Sequence, residues 1–391
     1  MNPKTDRLPP VTAAWQEGDD PAWRRFVDLG GFGLELGGSL PNVRVAYETW
    51  GRLSKARDNA VLVLHALTGD AHLAGPSGPG QPTAGWWSDV VGPDLALDTN
   101  EWFVVAANVL GGCQGTTGPS SLAPDGLPWG SRWPRITIRD LVNVEARFAD
   151  ILGIDRFALV VGGSIGGFRS LEWVASHPDR VGAAAIFACG AVATADQIAT
   201  QTAQIEAIVV DPGWAGGDYY YAEGHGPYRG MGIARRFAHL TYRSEAELEQ
   251  RFGNDPQLGE DPLGQHAAGA VVGAGRFSVQ SYLDHQADKL ARRFDAGTYV
   301  ALTDAMNTHD VGRGRGGVDA ALASITSPVV VGGITSDRLY PLYQQQELAD
   351  KIPTSGELRV IDSPFGHDAF LLESQAVGDI IREALALSSS T

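Results

Sequence analysis

Residues 160–173 read VVGGSIGGFRSLEW, with four glycines crowded around one serine, Ser164. Glycine is packed this densely where a chain must turn sharply or where backbone passes close to backbone. Gly162-Gly163-Ser164-Ile165-Gly166 contains the pattern Gly-x-Ser-x-Gly, placed between an apolar run and a helical pattern. In that context the pattern marks a nucleophile elbow, a strained strand-to-helix turn that lifts a serine clear of a sheet. The five residues alone recur by chance, and a plain glycine-rich packing turn reads the same way. The strand before and the helix after favour a nucleophile.

The apolar run FALVVGGS (157–164) has counterparts along the chain. They are AVLVLHALTGD (60–70), WFVVAANVLGG (102–112), GAAAIFACG (182–190), SPVVVGGITSD (327–337) and ELRVIDSPFGHD (357–368). Short unbroken runs of this kind suit strands buried on both faces of a parallel sheet. Helical patterns alternate with them, at 139–152 and at 168–177, where Phe168, Leu171, Val174 and Ala175 share a face. The alternation implies an α/β protein with a mostly parallel central sheet flanked by helices. Residues 32–50 read as a hairpin about Gly-Gly-Ser-Leu-Pro. From 192 to 322 strand-like runs nearly vanish. Helical patterns replace them, one with Ile198, Ile205 and Ile208 on a single face, separated by LGQHAAGAVVGAGR and VGRGRGGV. The organisation expected is a loose N-terminal arm over 1–30, a catalytic core over 31–191 and 323–391, and an inserted helical lid over 192–322.

The chain has 391 residues, with 30 Lys and Arg against 46 Asp and Glu, for a formal charge of −16. That balance argues against nucleic acid or an anionic membrane surface as partner. It also requires any anionic substrate to be met by a local cluster of cations. No stretch is long and apolar enough to span a membrane, and the start lacks a signal-peptide core. Two cysteines, Cys113 and Cys189, form neither a disulfide framework nor a zinc pattern. A cytoplasmic protein without a metal site is expected. Cys113 in LGGCQGTTG reads as a small buried side chain.

A serine hydroxyl attacks only when a base removes its proton. In this fold the partners follow in chain order, an acid and then a histidine. Of nine histidines, only His367 follows the last strand-like run, in SPFGHDAF. Asp337 lies in the loop after PVVVGG, where an acid can hold the imidazole tautomer and stabilise imidazolium. An ordinary Asx-turn is the plainer alternative there. Asp362 is the nearest competitor, although it is close to His367 on the same connection. His72, His239 and His285 read as structural or solvated. An oxyanion hole needs two backbone N–H groups. One belongs to Ile165, after the nucleophile, and the other is assigned to Leu67 in HALTGD.

With these residues in place the chain resembles a known family. VLHALTGDAHLAGPSGPG, AGWWSDVVGPDLALDT, NVLGGCQGTTGPSSLAPDG, VVGGSIGGFRSLEW, ARRFAHLTYRS, GITSDRLYP and FGHDAF are similar to segments of the homoserine O-acetyltransferases of methionine biosynthesis, the actinobacterial type above all. The resemblance runs from about residue 30 to 385. It implies an α/β-hydrolase fold with a helical lid, usually a homodimer. It also implies acetyl-CoA as co-substrate, L-homoserine as acceptor and no tightly bound cofactor. The family's nucleophile falls on Ser164, its acid on Asp337 and its base on His367. Its substrate-contacting arginine falls on Arg235, its tyrosine on Tyr242 and the aspartate after the catalytic histidine on Asp368. One departure is visible: Ile165 stands where the family usually has methionine.

Arg235 and Tyr242 are seven residues apart, two helical turns, and so face the same way. A guanidinium and a phenol on that face would grip a carboxylate. Asp368 would pair with an ammonium, or simply cap the helix AFLLES. Arg229, Arg236 and Arg243 are further candidates for CoA phosphates. The implied reaction runs through an acyl-serine, with ping-pong kinetics. A succinyl-CoA donor or an L-serine acceptor shares every motif, although no second cation for a succinyl carboxylate is evident. A plain ester hydrolase and a non-catalytic binding protein on the same scaffold are the remaining alternatives.

Overall fold

The apolar runs become strands of one eight-stranded sheet in the computed structural model, which describes residues 8–221, 225–264 and 275–388. The strands are β1 (Arg25–Asp28), β2 (Arg44–Trp50), β3 (Ala60–Leu64), β4 (Phe103–Ala107), β5 (Phe157–Gly163), β6 (Val181–Phe187), β7 (Val329–Ile334) and β8 (Arg359–Ile361). Their order in space is β1-β2-β4-β3-β5-β6-β7-β8. From β4 onward every pairing is parallel, and β2 alone runs antiparallel to both neighbours.

Helices α1 (Ile138–Leu152) and α2 (Ile165–Ser176) follow β4 and β5. Between β6 and β7 come α3 (Ala195–Val209), α4 (Tyr228–Tyr242), α5 (Glu245–Phe252), α6 (Ser278–Ala291), α7 (Ala296–Asn307) and α8 (Val318–Ala323). The chain ends with α9 (Leu342–Lys351), α10 (Ala369–Leu372) and α11 (Ser374–Ser388). Side chains alternate across the sheet. Leu62, Val160 and Val331 pack with α1, α2 and α9, while Val61, Val161 and Val330 pack with α11. Every residue of β3, β6 and β7 is therefore buried, which explains their unbroken apolar composition. Thr137 and Asp140 form a capping box at the start of α1, and Gly153 ends it in the left-handed region at φ 69°.

Three expectations are corrected. The segment expected to be a loose arm is tied down from Thr12 onward. Arg25–Asp28 is the edge strand β1, and the Trp15 N–H donates to the Cys113 carbonyl at 2.9 Å. The Thr12 hydroxyl donates to Asp295 at 2.7 Å, and buried Arg24 donates to Gly80, Gln81 and Gln114. These are long-range polar contacts, invisible to a local hydrophobic pattern. The hairpin at 32–50 shrinks to Phe32–Gly33 paired with Ser39–Leu40, and β2 pairs with β1 and β4 instead. On α3 the buried face is Gln197, Gln201, Gln204 and Ile208, whereas Ile198 is exposed. Gln197 and Gln204 hold that face through hydrogen bonds. Gln197 donates to the Leu339 carbonyl at 2.7 Å, and Gln204 accepts from the Tyr299 hydroxyl at 2.6 Å. Most of LGQHAAGAVVGAGR, with His266, lies outside the described residues.

Among the described residues, the stretch between β6 and β7 contributes helices and no strand, with α4 packed on α3 and α6. Loops from the carboxyl ends of β3, β5, β7 and β8 meet beneath it, bringing Leu67, Ser164, Asp337 and His367 to the same end of the sheet.

Candidate active site

Ser164 sits between β5 and α2 at φ 60°, ψ −127°, a conformation that a non-glycine residue holds only under strain. Its N–H donates to the Phe187 carbonyl at 3.1 Å. The surrounding glycines answer to close approach. A Cβ at Gly162 would lie 2.6 Å from the Gly166 carbonyl and 2.8 Å from the Leu64 oxygen. At Gly163 it would meet the Phe370 ring at 2.6 Å, and at Gly167 the Phe187 carbonyl oxygen at 2.7 Å. The first turn of α2 thus rests directly on the backbones of β3 and β6.

His367 follows β8, and its Nδ1–H donates to Asp337 Oδ2 at 2.7 Å. The other carboxylate oxygen of Asp337 accepts the N–H groups of Leu339 and Tyr340 at 2.8 and 2.9 Å. The acid is completely buried and held by three donors, with no freedom to turn away from the imidazole. Tyr340, Phe370 and Tyr242 enclose the His367 ring, with centroids 5.2, 5.5 and 5.6 Å away. Asp362 is exposed and accepts from the Thr335 hydroxyl at 3.0 Å, so the competitor acid lies apart from His367.

Ile165 is the first residue of α2, and its N–H belongs to the helix turn that lacks intrahelical acceptors. The Leu67 N–H has no hydrogen-bond partner among the described residues. Both amides are therefore available to an oxyanion. The Ile165 side chain packs into the core cluster and is absent from the wall of the cavity beside Ser164. The exchange of methionine for isoleucine thus falls on core packing.

That cavity, 290 Å³, is lined by Leu67, Trp86, Ser164, His367, Phe370 and Leu371. Its charged wall consists of Arg235, Lys289 and Arg293 opposite Asp70 and Asp368. Arg235, Tyr242 and Asp368, expected from resemblance, thus share one cavity with Ser164 and His367. Arg235 lies over the Tyr242 ring at 5.6 Å, and its Nε and Nη1 are buried without an acceptor among the described residues. Burial drives the Asp368 carboxyl above the usual range, and Arg243, 3.2 Å away, pulls it back. The Asp368 side chain makes no capping bond to α10, so that alternative falls away.

The other arginine candidates are committed elsewhere. Arg236 pairs with Asp284 at 2.6 Å, and with Arg229 it lines a separate surface pocket. Arg243 is engaged by Asp368 and, at 3.6 Å, by Glu247. The cavity cations that the sequence reading missed are Lys289 and Arg293. They are four residues apart in DKLARRF, the one-turn spacing that would have flagged them. Burial and neighbouring Arg235 lower Arg293 to about 10. Burial, Arg293 and Arg235 lower Lys289 too.

The remaining histidines have structural surroundings. His65 accepts the Val109 N–H at 3.0 Å, and burial holds it at about 3. His72 pairs with buried Glu48 at 2.9 Å, His239 meets the Tyr282 hydroxyl at 3.0 Å, and His285 is exposed. Cys113 and Cys189 are buried, and burial pushes both thiols up. Among the described residues no cluster is placed to hold a metal, and no helix is long and apolar enough to cross a membrane.

A strained serine at the tip of a parallel strand, a histidine and acid on later loops, and a helical insertion above them define an α/β-hydrolase-fold protein. The family described as alpha/beta hydrolase fold matches residues 59–374. A homoserine O-acetyltransferase of Thermobifida fusca (strain YX) is 59% identical over 378 residues, covering 96% of this chain and 97% of the relative. One of Mycobacterium tuberculosis (strain CDC 1551 / Oshkosh) is 58% identical over 363 residues, covering 93% of each. The chain belongs to the homoserine O-acetyltransferase branch of the α/β-hydrolase family. Among solved structures, esterase E22 superposes with a TM-score of 0.83 at 25% identity, covering 93% of this chain and 99% of its own. A homoserine O-acetyltransferase from Bacillus anthracis has a TM-score of 0.81 at 24% identity, covering 93% and 97%, and shares the fold.

Proposed function

We propose that this chain transfers the acetyl group of acetyl-CoA to the γ-hydroxyl of L-homoserine, a step of methionine biosynthesis, through acetyl-Ser164. The observation that carries this is one cavity that joins Ser164 and His367 to Arg235, Tyr242 and Asp368. A nucleophile there faces groups of opposite charge suited to a zwitterionic amino acid. Asp337 holds Nδ1 of His367, which leaves Nε2 to take the Ser164 proton as Oγ attacks the thioester. The Leu67 and Ile165 amides receive the oxyanion. The C–S bond breaks, and His367 returns the proton to the CoA thiolate. L-Homoserine then binds with its carboxylate on Arg235 beside Tyr242 and its ammonium on Asp368. His367 removes the γ-hydroxyl proton as that oxygen attacks the acetyl carbon, and Ser164 leaves with the proton restored.

Residues 192–322 act as a lid on the core formed by 31–191 and 323–391, to which Arg25–Asp28 adds an edge strand. Covering the cavity keeps water from the acyl-enzyme, which favours transfer over hydrolysis. The enzyme works in the cytoplasm, with acetyl-CoA as a co-substrate and no tightly bound cofactor. Ile233, Phe237 and Leu240, exposed at 46, 44 and 41% and spaced along one face of α4, support a homodimer. Sedimentation of wild type as a monomer, or of F237D as an unchanged dimer, would remove that support.

Lys289 on the cavity wall favours, as a second reading, an acyl donor that carries a carboxylate. A matrix of acetyl-CoA and succinyl-CoA with L-homoserine and L-serine, read as free CoA, separates the two. Fastest turnover is expected for acetyl-CoA with L-homoserine, with parallel double-reciprocal lines. Intersecting lines, or equal turnover without any acceptor, would overturn the scheme.

A further inference from the structure

The helical insertion touches the cavity floor at a place that its lid role does not require. Arg293, two residues beyond the end of α6, reaches down to the loop after β3. Its Nη1 donates to the Thr68 carbonyl at 2.7 Å, and Nη2 approaches Thr68 Oγ1 at 3.4 Å. Thr68 follows Leu67, whose N–H is one of the two amides assigned to the oxyanion. The backbone around Arg293 is itself fastened. The Gln114 side chain donates to its carbonyl at 3.3 Å, and the Ala13 N–H donates to the Phe294 carbonyl at 3.4 Å. The guanidinium therefore hangs from a fixed anchor and grips a glycine-containing loop, HALTGD, which ends no helix and belongs to no strand.

We propose that Arg293 is a positioning residue for the oxyanion hole, holding the Thr68–Gly69 peptide so that the Leu67 N–H, two peptides back in the same turn, points at the acyl carbonyl. The proposal rests on the reading of Leu67 as an oxyanion donor. A preorganised donor contributes because no reorganisation is needed when charge develops, and removing one outright costs about 10²–10³ in rate. Loosening one costs part of that, so the expected loss for R293A is about tenfold to a hundredfold in kcat. The loss falls on both half-reactions, since both pass through a tetrahedral oxyanion. The KM for L-homoserine changes little, because its carboxylate and ammonium are held by other groups.

The test compares wild type, R293A and R293K in three measurements: kcat with both KM values, acetylation of Ser164 by mass spectrometry, and affinity for a small alkyl trifluoromethyl ketone. The ketone is trapped by the serine as a tetrahedral oxyanion. The expected result is a fall in ketone affinity by the same factor as kcat, partial recovery in R293K, and partial rescue of R293A by guanidinium ion. A merely structural role would lower thermal stability without that parallel. Should R293A fail to fold, R293K alone decides: the ketone and kcat losses must still match. A folded variant with kcat within twofold of wild type overturns the proposal, as does a kcat loss with unchanged ketone affinity. Failure of wild type to carry acetyl on Ser164 would instead overturn the acyl-serine scheme.

Discussion

Asp337→Asn tests the acid most sharply, because the structure dictates how the new amide must sit. One side of the carboxylate accepts the N–H groups of Leu339 and Tyr340, so the asparagine oxygen must take that side. The opposite orientation would set NH₂ against two donors and leave both unpaired in a buried site. The NH₂ is therefore turned toward His367 Nδ1, where it can only donate. The imidazole must then keep its proton on Nε2, the atom that should accept from Ser164. In a comparable constellation the wrong tautomer costs about 10⁴ in kcat, about 5.5 kcal/mol of barrier. The size and the hydrogen-bond count of the side chain are nearly conserved, so the unfolding midpoint should move little. The assay is CoA release from acetyl-CoA with L-homoserine, alongside thermal denaturation. Activity within tenfold of wild type in a folded D337N variant would refute the assignment, above all if D362N lost activity instead.

Arg235→Lys keeps the charge but loses the fork. Since charged hydrogen bonds contribute about 1.5–3 kcal/mol, KM for L-homoserine should rise about tenfold to a hundredfold with little change for acetyl-CoA. Equal effects on both substrates would count against the carboxylate role. Gly163→Ala drives a methyl into the Phe370 ring, 2.6 Å from the new Cβ, and should cost about 1–3 kcal/mol by overpacking; denaturant midpoints will read it, and an unchanged midpoint would deny the tight contact. His309, buried against Phe168 and held by burial at about 4, bears on stability in acid. Its folded pKa lies below the ordinary 6.5, so its contribution is full above pH 6.5 and fades as pH falls toward 4. That amounts to about 2 kcal/mol at pH 5. His309→Asn should lose correspondingly less stability than wild type between pH 7 and pH 5, and parallel losses would show that His309 does not titrate as a buried group.

The sheet was legible because buried parallel strands must be apolar throughout, and β3, β5, β6 and β7 are. Ser164, Asp337 and His367 were legible as candidates because chain order and strand ends constrain where a triad can lie, and the structure pairs His367 with Asp337. What escaped notice rests on partners distant in sequence. Arg25–Asp28 has little apolar signature, yet β2 recruits it as an edge strand. Gln197 and Gln204 look like a solvated face until their interior partners, Leu339 and Tyr299, are seen. Arg293 and Lys289 resemble the other arginines and lysines of the insertion; their one-turn spacing is the local sign, and the folding of α6 toward the loop after β3 is what brings them to the cavity. Conversely, Arg236 and Arg243 looked available as cations, but acidic neighbours occupy both.

The tie between the chain's beginning and the insertion has a consequence for the order of assembly. Thr12 and Asp295 are 283 positions apart, and Ala13 bonds to Phe294 beside them. Contacts across such separations form late, because the intervening chain must already be ordered before they offset its loss of freedom. During synthesis Thr12 and Ala13 therefore wait without these partners until Phe294 and Asp295 have emerged, whereas Trp15 and Arg24 meet theirs earlier. The contact then joins the chain's beginning to the insertion before β7 and β8 have been made, so the sheet is completed around a tie already within reach.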